Sequence, residues 1–259
     1  MIVNPMIKEI QKYTIFFILG IFLIFSCNNA NSLAKEGLKN LDQGKKITAL
    51  KYFEEALDSN KKNPIALYGK GKIMTESTLT LSLGQKLLEN SIPKLGDEYK
   101  VDAILTLARS YARTNLYDKA IKLLEESTSA EPAFPDLYID LSFYYIQTLE
   151  KTKARNILAK GLEANPKAVS LYLELANVDI KHFGNHTSAL SSLEKAYKLE
   201  NENQEIINKM ALENYILGNI KGTVEYLEKL KSLQSDSAEK SKIDEWIAQA
   251  KAGKWQANP

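Results

Sequence analysis

The chain has 259 residues, of which 44% are hydrophobic and 25% are charged, as in an ordinary globular protein. Because 34 lysine and arginine residues nearly balance 32 aspartate and glutamate residues, the composition gives no basis for a nucleic-acid partner. The single cysteine excludes an intrachain disulfide.

Residues 1–26 have the pattern of an export signal. Lys8 and Lys12 precede an apolar run from Thr14 to Phe25 that only Gly20 interrupts. A short basic segment followed by about a dozen apolar residues is typical of a secretory signal peptide. The run is shorter than the roughly 20 apolar residues that a membrane span needs. We therefore expect this segment to direct export.

The only cysteine, Cys27, lies where the apolar run ends. Ile24 to Cys27 resembles the lipobox of bacterial lipoproteins, although Phe25 is larger than that pattern prefers. The resemblance implies that Cys27 carries the lipid and that residues 27–32 form a short tether. An ordinary cleaved signal is the alternative, but a free thiol is unusual in an oxidising compartment. We expect a periplasm-facing protein, and Asn28 favours the outer membrane over the inner one.

A period of 34 residues organises the sequence from residue 101 to residue 166. The first copy of the pattern is Ile104, Leu107, Ala108, Tyr111, Ala120, Leu124 and Pro132. The second copy is Tyr138, Leu141, Ser142, Tyr145, Ala154, Leu158 and Pro166. This period and order resemble those of the tetratricopeptide repeat family. The resemblance implies an all-α fold, a right-handed α-solenoid of stacked helix pairs.

The spacing has a physical reason. Tyr138 and Tyr145 are seven residues apart, which is about two helical turns, so both lie on the same face of a first helix. Ser142 and Ala154 are small, which allows the backbones of the two helices to approach. Pro166 cannot continue a helix, so it ends the repeat. One pair cannot bury its own apolar face, and such repeats therefore form arrays.

The same pattern continues on both sides, so that residues 33–236 are predicted to contain about six repeats. Repeat 2, at about residues 64–100, departs most from the pattern. Gly84 takes the place of the alanine of the pattern but lies one residue after the position that the period assigns to it. Residues 237–253 form a predicted capping helix, and residues 254–259 a tail. No second domain is expected.

In this family the first helices line a concave groove that holds the ligand. The resemblance places ten residues there: Tyr68, Lys72, Leu105, Arg109, Ile139, Phe143, Ile146, Leu173, Asn177 and Ile180. The first helix of repeat 4 is apolar almost all round, and such a helix requires cover on every side. Because Ile139, Phe143 and Ile146 have no obvious cover, we predict that they bind an apolar strip of a partner protein or peptide. A groove filled by the protein itself is the alternative.

The sequence offers little for chemistry. His182 and His186 are four residues apart, but Gly184 and Asn185 between them indicate a turn, so we expect no metal site. There is no glycine-rich phosphate loop and no nucleophile elbow. We therefore expect no catalysis, no cofactor and no small-molecule substrate.

These observations predict a lipid-anchored, non-catalytic scaffold that binds another protein. In overall layout the chain is similar to the pilotins of the type IV pilus secretin and to the lipoprotein of the outer-membrane barrel assembly machine. That similarity implies a role in assembling an outer-membrane or pilus complex. One alternative is an adaptor or regulator of periplasmic cell-wall enzymes. A further alternative is an enzyme in its own right. The Lys-and-Asn clamp with which some family members hold a C-terminal carboxylate is absent.

Overall fold

A computed structural model of the protein describes residues 29–256. Cys27 and the predicted signal peptide, residues 1–26, lie outside the described residues. Residues 29–256 contain helices and turns but no strand. In chain order the helices are α1 (residues 29–42), α2 (Lys46–Ser59), α3 (Pro64–Met74), α4 (Leu81–Ser91), α5 (Asp97–Ala112), α6 (Tyr117–Ala130), α7 (Pro135–Gln147), α8 (Lys151–Ala164), α9 (Val169–Val178), α10 (His186–Leu199), α11 (Gln204–Ile216), α12 (Ile220–Ser232) and α13 (Ser237–Lys251).

The described helices fall into six consecutive pairs, α1/α2 to α11/α12, followed by α13. Pairs such as α3/α4, α7/α8 and α11/α12 pack side by side, and α13 packs on α12. The predicted all-α repeat architecture with a capping helix is therefore confirmed. A 3₁₀ turn at Ile92–Lys94 and a π-helical turn at Asp179–Phe183 are the departures from regular α-helix.

The chain divides within α6 into two compact units, of which the first ends at Leu123 and the second begins at Leu124. The core of the first unit forms around Phe53, which is fully buried with Ala34, Ala49 and Ala56. Two glycines face the ring of Phe53: a Cβ atom at Gly37 would lie 2.5 Å from it and one at Gly69 only 2.2 Å. Neither position can therefore hold a side chain unless the ring moves.

The second unit has the same construction. Tyr138, Leu158 and Leu171 form one buried cluster, and a Cβ atom at Gly161 would lie 2.8 Å from the Tyr138 ring. Farther along, clusters form between α9, α10 and α11 and between α11, α12 and α13.

A tryptophan in the predicted tail closes the last of these clusters. Trp255 is 5% exposed, and its backbone N–H donates to the Tyr215 hydroxyl at 3.0 Å. Trp246 is half-buried against the same cluster.

Asparagine side chains cap the N-termini of four helices. The side-chain oxygens of Asn63, Asn185, Asn203 and Asn219 accept from backbone N–H groups of the first turns of α3, α10, α11 and α12. Such caps satisfy donors that a helix start otherwise leaves open.

The turns inside the pairs need a left-handed residue. Gly44, Gly184 and Gly218 supply it in three pairs with φ values of 75°, 62° and 76°. Leu149 takes this place between α7 and α8, with φ at 65°, and its side chain is 81% exposed. A left-handed conformation raises the conformational energy of a residue with a Cβ atom by about 1–2 kcal/mol, whereas glycine adopts it without this penalty.

Leu149→Gly should therefore stabilise the protein, by about 1 kcal/mol after allowance for the freer unfolded chain. Equilibrium urea unfolding measures this change. Leu116→Gly is the control, because Leu116 is also exposed but has no positive φ. A stability gain at residue 116 as large as that at residue 149 would contradict the backbone explanation.

Candidate functional site

The predicted groove residues of the first unit belong to a polar network. The Tyr68 hydroxyl donates to Asp102 Oδ2 at 2.5 Å, and Lys72 Nζ donates to the same oxygen at 2.8 Å. Tyr68 is 4% exposed and Leu105 is also buried, whereas Arg109 is exposed and has interactions of its own. All four side chains are thus engaged in packing or pairing.

Burial and hydrogen bonding determine the protonation states of Tyr68 and Asp102. Burial raises the pKa of Tyr68, and the hydrogen bond to Asp102 raises it further. Burial alone would raise the pKa of Asp102, but hydrogen bonds from Lys72, Tyr68 and Thr106 hold it below its ordinary value. The carboxylate therefore stays ionised and the phenol stays protonated near neutral pH. Half of the residues that line the cavity of about 440 Å³ beside Tyr68 are charged, namely Lys35, Lys39, Asp42 and Glu98.

In the second unit, by contrast, three predicted groove residues meet at one depression. Phe143, Ile146 and Asn177 line a cavity of about 250 Å³ between α7 and α9. Phe143 is 52% exposed, which is unusual for its size, and its ring stands edge-on to Tyr144 with centroids 5.4 Å apart. We call this depression the Phe143 pocket. It is the candidate functional site.

Polar side chains also line the Phe143 pocket. We call Gln147, Glu174, Lys181 and His182 the rim of the pocket. Asn177 is held from two sides, since its amide donates to Glu174 at 3.2 Å while its carbonyl oxygen accepts from Lys209 at 3.1 Å. The rim thus contains both charge signs.

The remaining predicted groove residues of the second unit do not reach this pocket. Ile139 is half-buried against the cluster of Tyr138 and Leu158. Leu173 and Ile180 pack against the cluster between α9, α10 and α11. They contribute to stacking, so Phe143 is the most exposed apolar side chain among the predicted groove residues of this unit.

The rim residues Glu174, Lys181 and His182 escaped sequence reasoning. Lys181 and His182 lie in the π-helical turn, which adds a residue after α9 before Gly184 reverses the chain. Repeat register alone does not place these side chains, because a π turn rotates the side chains that follow it relative to a regular helix. Such turns are frequent at functional sites.

An ion pair between the buried Asp179 and the partly exposed Arg155 holds the π-helical turn. The Asp179 side chain is fully buried, and its carboxylate accepts from Arg155 Nε at 2.6 Å and from the Ser188 hydroxyl at 2.6 Å. These contacts tie α8, the π turn and α10 together. Nearby, Glu213 is 2% exposed and lies 2.7 Å from His186 Nδ1.

The two histidines do not form a metal site with their neighbours. His182 lies in the π turn and His186 opens α10. Across residues 29–256 no three histidine, cysteine or acidic side chains cluster in the way a metal ion would require.

Arg155→Met should lower the free energy of unfolding by about 2–3 kcal/mol, because it leaves the Asp179 carboxylate buried without its cation. Lys160→Met is the control, since Lys160 is an exposed cation of the same helix. Adding Asp179→Asn to Arg155→Met should recover part of the loss. If Arg155→Met lowered the free energy of unfolding no more than Lys160→Met does, the ion pair would not stabilise the turn.

One side-chain contact repeats at two tyrosines that do not line the pocket, Tyr111 and Tyr145. The Tyr111 hydroxyl donates to Glu89 at 2.5 Å, and Lys119 Nζ lies 5.5 Å from the Tyr111 ring centre. In the second unit Tyr145 donates to Glu125 in the same way, with Lys153 5.4 Å from its ring centre. The tyrosines and lysines are each 34 residues apart, so the period extends to side-chain contacts. These tyrosines are structural.

Comparison with known proteins agrees with this geometry. The sequence profile described as Tetratricopeptide repeat matches residues 115–178, from the turn before α6 to the end of α9. The chain carries tetratricopeptide repeats. The predicted resemblance to this family is therefore confirmed, and the matched segment contains Phe143.

Solved tetratricopeptide-repeat proteins share the fold. PilF of Pseudomonas aeruginosa superposes with a TM-score of 0.61 at 15% identity, covering 85% of this chain and 98% of its own. MamA from Desulfovibrio magneticus RS-1, residues 41 to the end, gives 0.53 at 18% identity over 68% and 97%. YrrB, described as a TPR protein with an unusual peptide-binding site, gives 0.50 at 16% identity over 74% and 97%. At these identities the likeness establishes the fold.

No curated protein sequence matches the chain. Within residues 29–256 no helix combines the length and the apolar character needed to cross a membrane.

Proposed function

We propose that the protein is a non-catalytic scaffold that binds an apolar segment of a partner protein in the Phe143 pocket. The observation that carries this proposal is the half-exposed Phe143 side chain on a helix whose neighbouring apolar residues are buried in stacking. Tetratricopeptide repeats provide surfaces for protein–protein contact, and among the structural neighbours YrrB is described as having a peptide-binding site.

The dimensions of the pocket favour a peptide side chain over a free small molecule. Its volume of about 250 Å³ is below the roughly 300–1,000 Å³ of ordinary small-molecule sites. Such a space holds one or two bulky apolar side chains. The polar rim, with Glu174 and Lys181, would pair with the partner's backbone and flanking polar groups. An apolar centre inside a polar rim is the usual arrangement of a protein interface.

We further propose that the scaffold acts at the bacterial cell envelope, anchored through a lipid on Cys27 and facing the periplasm at the outer membrane. The support is the sequence pattern of residues 1–27. There the scaffold would assist assembly of an outer-membrane or pilus complex.

Phe143→Glu should reduce partner capture at least about tenfold, because it places a charge where an apolar side chain has to be desolvated. The measurement is capture from detergent-solubilised envelopes on the immobilised protein, with quantitative mass spectrometry of the retained proteins. Helix content by circular dichroism should not change, since residue 143 is not part of the core.

Leu149→Glu is the matched control. Leu149 is an apolar residue of the same repeat and is more exposed than Phe143, but it does not line the pocket. Capture should survive this change. Equal losses from both variants would indicate nonspecific adhesion, and unchanged capture with Phe143→Glu would refute the pocket.

Cys27→Ala should release the protein from the membrane fraction, since it removes the atom that would carry the lipid. Cell fractionation with immunoblotting measures this, and intact-mass analysis of the wild type should show the acyl groups. Membrane retention of the variant at the wild-type level would contradict lipid anchoring.

A further inference from the structure

The beginning of the described chain lies against the turn between α2 and α3. The Asn63 side chain is fully buried, and its Nδ2 donates to Asn31 Oδ1 at 2.7 Å. Its Oδ1 accepts from the Ala66 N–H at 2.9 Å, so the same residue also caps α3. Asn63 therefore holds the first turns of α1 beside this turn.

Three lysines are displayed at the same place. Lys61, Lys62 and Lys94 line a depression of about 360 Å³ together with Leu67 and Asn90. Among the described residues, none of the three ammonium groups forms an ion pair, and no carboxylate lines the depression. We call Lys61, Lys62 and Lys94 the lysine patch. Asp58 precedes it in sequence and Asp97 follows it, so the positive charge is local to the depression.

The lysine patch lies close to the proposed site of lipid attachment, Cys27. Cys27 is four residues before Asn31, a distance of at most about 14 Å for an extended chain. If Cys27 carries the lipid, the bilayer surface lies within that reach of the residue that contacts Asn63. Electrostatic attraction acts over about 8–10 Å at physiological ionic strength, and it is strongest for clustered cations near anionic headgroups.

We propose that the lysine patch binds the anionic phospholipid surface to which the protein is tethered, and so orients the first unit on the membrane. The ends of α2 and α4 then face the bilayer. The turn at Gly44, at the other end of the α1/α2 pair, faces away. This inference rests on the proposed lipid anchor. A different role is available to the same lysines, because cations near helix C-termini stabilise the helix dipole. That role requires no lipid.

The test uses the full mature protein reconstituted in vesicles of phosphatidylcholine alone or of phosphatidylcholine with phosphatidylglycerol. A water-soluble amine reagent labels exposed lysines, and mass spectrometry reads the labelling rate at each site. Lys61, Lys62 and Lys94 should label more slowly in the anionic vesicles, by a factor on the order of three. Lys45, which is exposed at the opposite end of the first pair, is the internal control and should label equally in both. Equal labelling of the patch in the two vesicle types would overturn the proposal.

A charge-reversed variant separates the two roles of the lysines. Lys61→Glu/Lys62→Glu/Lys94→Glu should lose sedimentation with phosphatidylglycerol vesicles in the Cys27→Ala background, where a lipid on Cys27 cannot contribute to adhesion. Adhesion of the parent Cys27→Ala protein should fall with added salt. A variant that only lowers the thermal unfolding temperature and still adheres would assign the lysines to the helix ends and refute the lipid contact.

Failure of the anchor and failure of the patch are distinguishable. An intact mass without acyl groups refutes the anchor, whereas the sedimentation comparison still decides whether the patch binds anionic lipid.

Discussion

Close approach of helices at small residues is the constraint on which the rest of the structure depends. Gly37 and Gly69 leave room for the Phe53 ring, and Gly161 leaves room for Tyr138. Ser142 is fully buried, and its hydroxyl has no hydrogen-bond partner among the described residues, so that position requires small size rather than polarity. Because stacking consumes one face of every helix in this way, an apolar side chain that stacking does not use becomes informative. Phe143 is such a residue.

The two units use the same repeat for different surfaces. In the first unit the first-helix positions hold Tyr68, Lys72 and Asp102 in a paired polar network. In the second unit the positions equivalent to Lys72 hold Phe143 and Asn177, which line an open pocket. The proposed binding function therefore belongs to the second unit, whereas the proposed membrane contact belongs to the first.

Sequence reasoning predicted the fold well because the repeat is a local code. A period of 34 residues with small residues at the crossings specifies helix pairs without knowledge of distant contacts. The pocket was predicted in part, since Phe143, Ile146 and Asn177 follow from repeat register. The rim was missed because the π turn after α9 depends on the Asp179–Arg155 pair, which joins residues 24 apart in sequence. Burial of Trp255 was missed for the same kind of reason, since its partner Tyr215 is 40 residues away.

The most direct test of the central claim is photo-crosslinking in living cells from a probe at residue 143, with a probe at residue 149 as the reference. Tandem mass spectrometry of the adducts identifies the partner and the crosslinked segment. Residue 143 is expected to crosslink to one apolar segment of one partner, whereas residue 149 is not. Adducts of the same composition and yield from both positions would contradict partner binding in the Phe143 pocket.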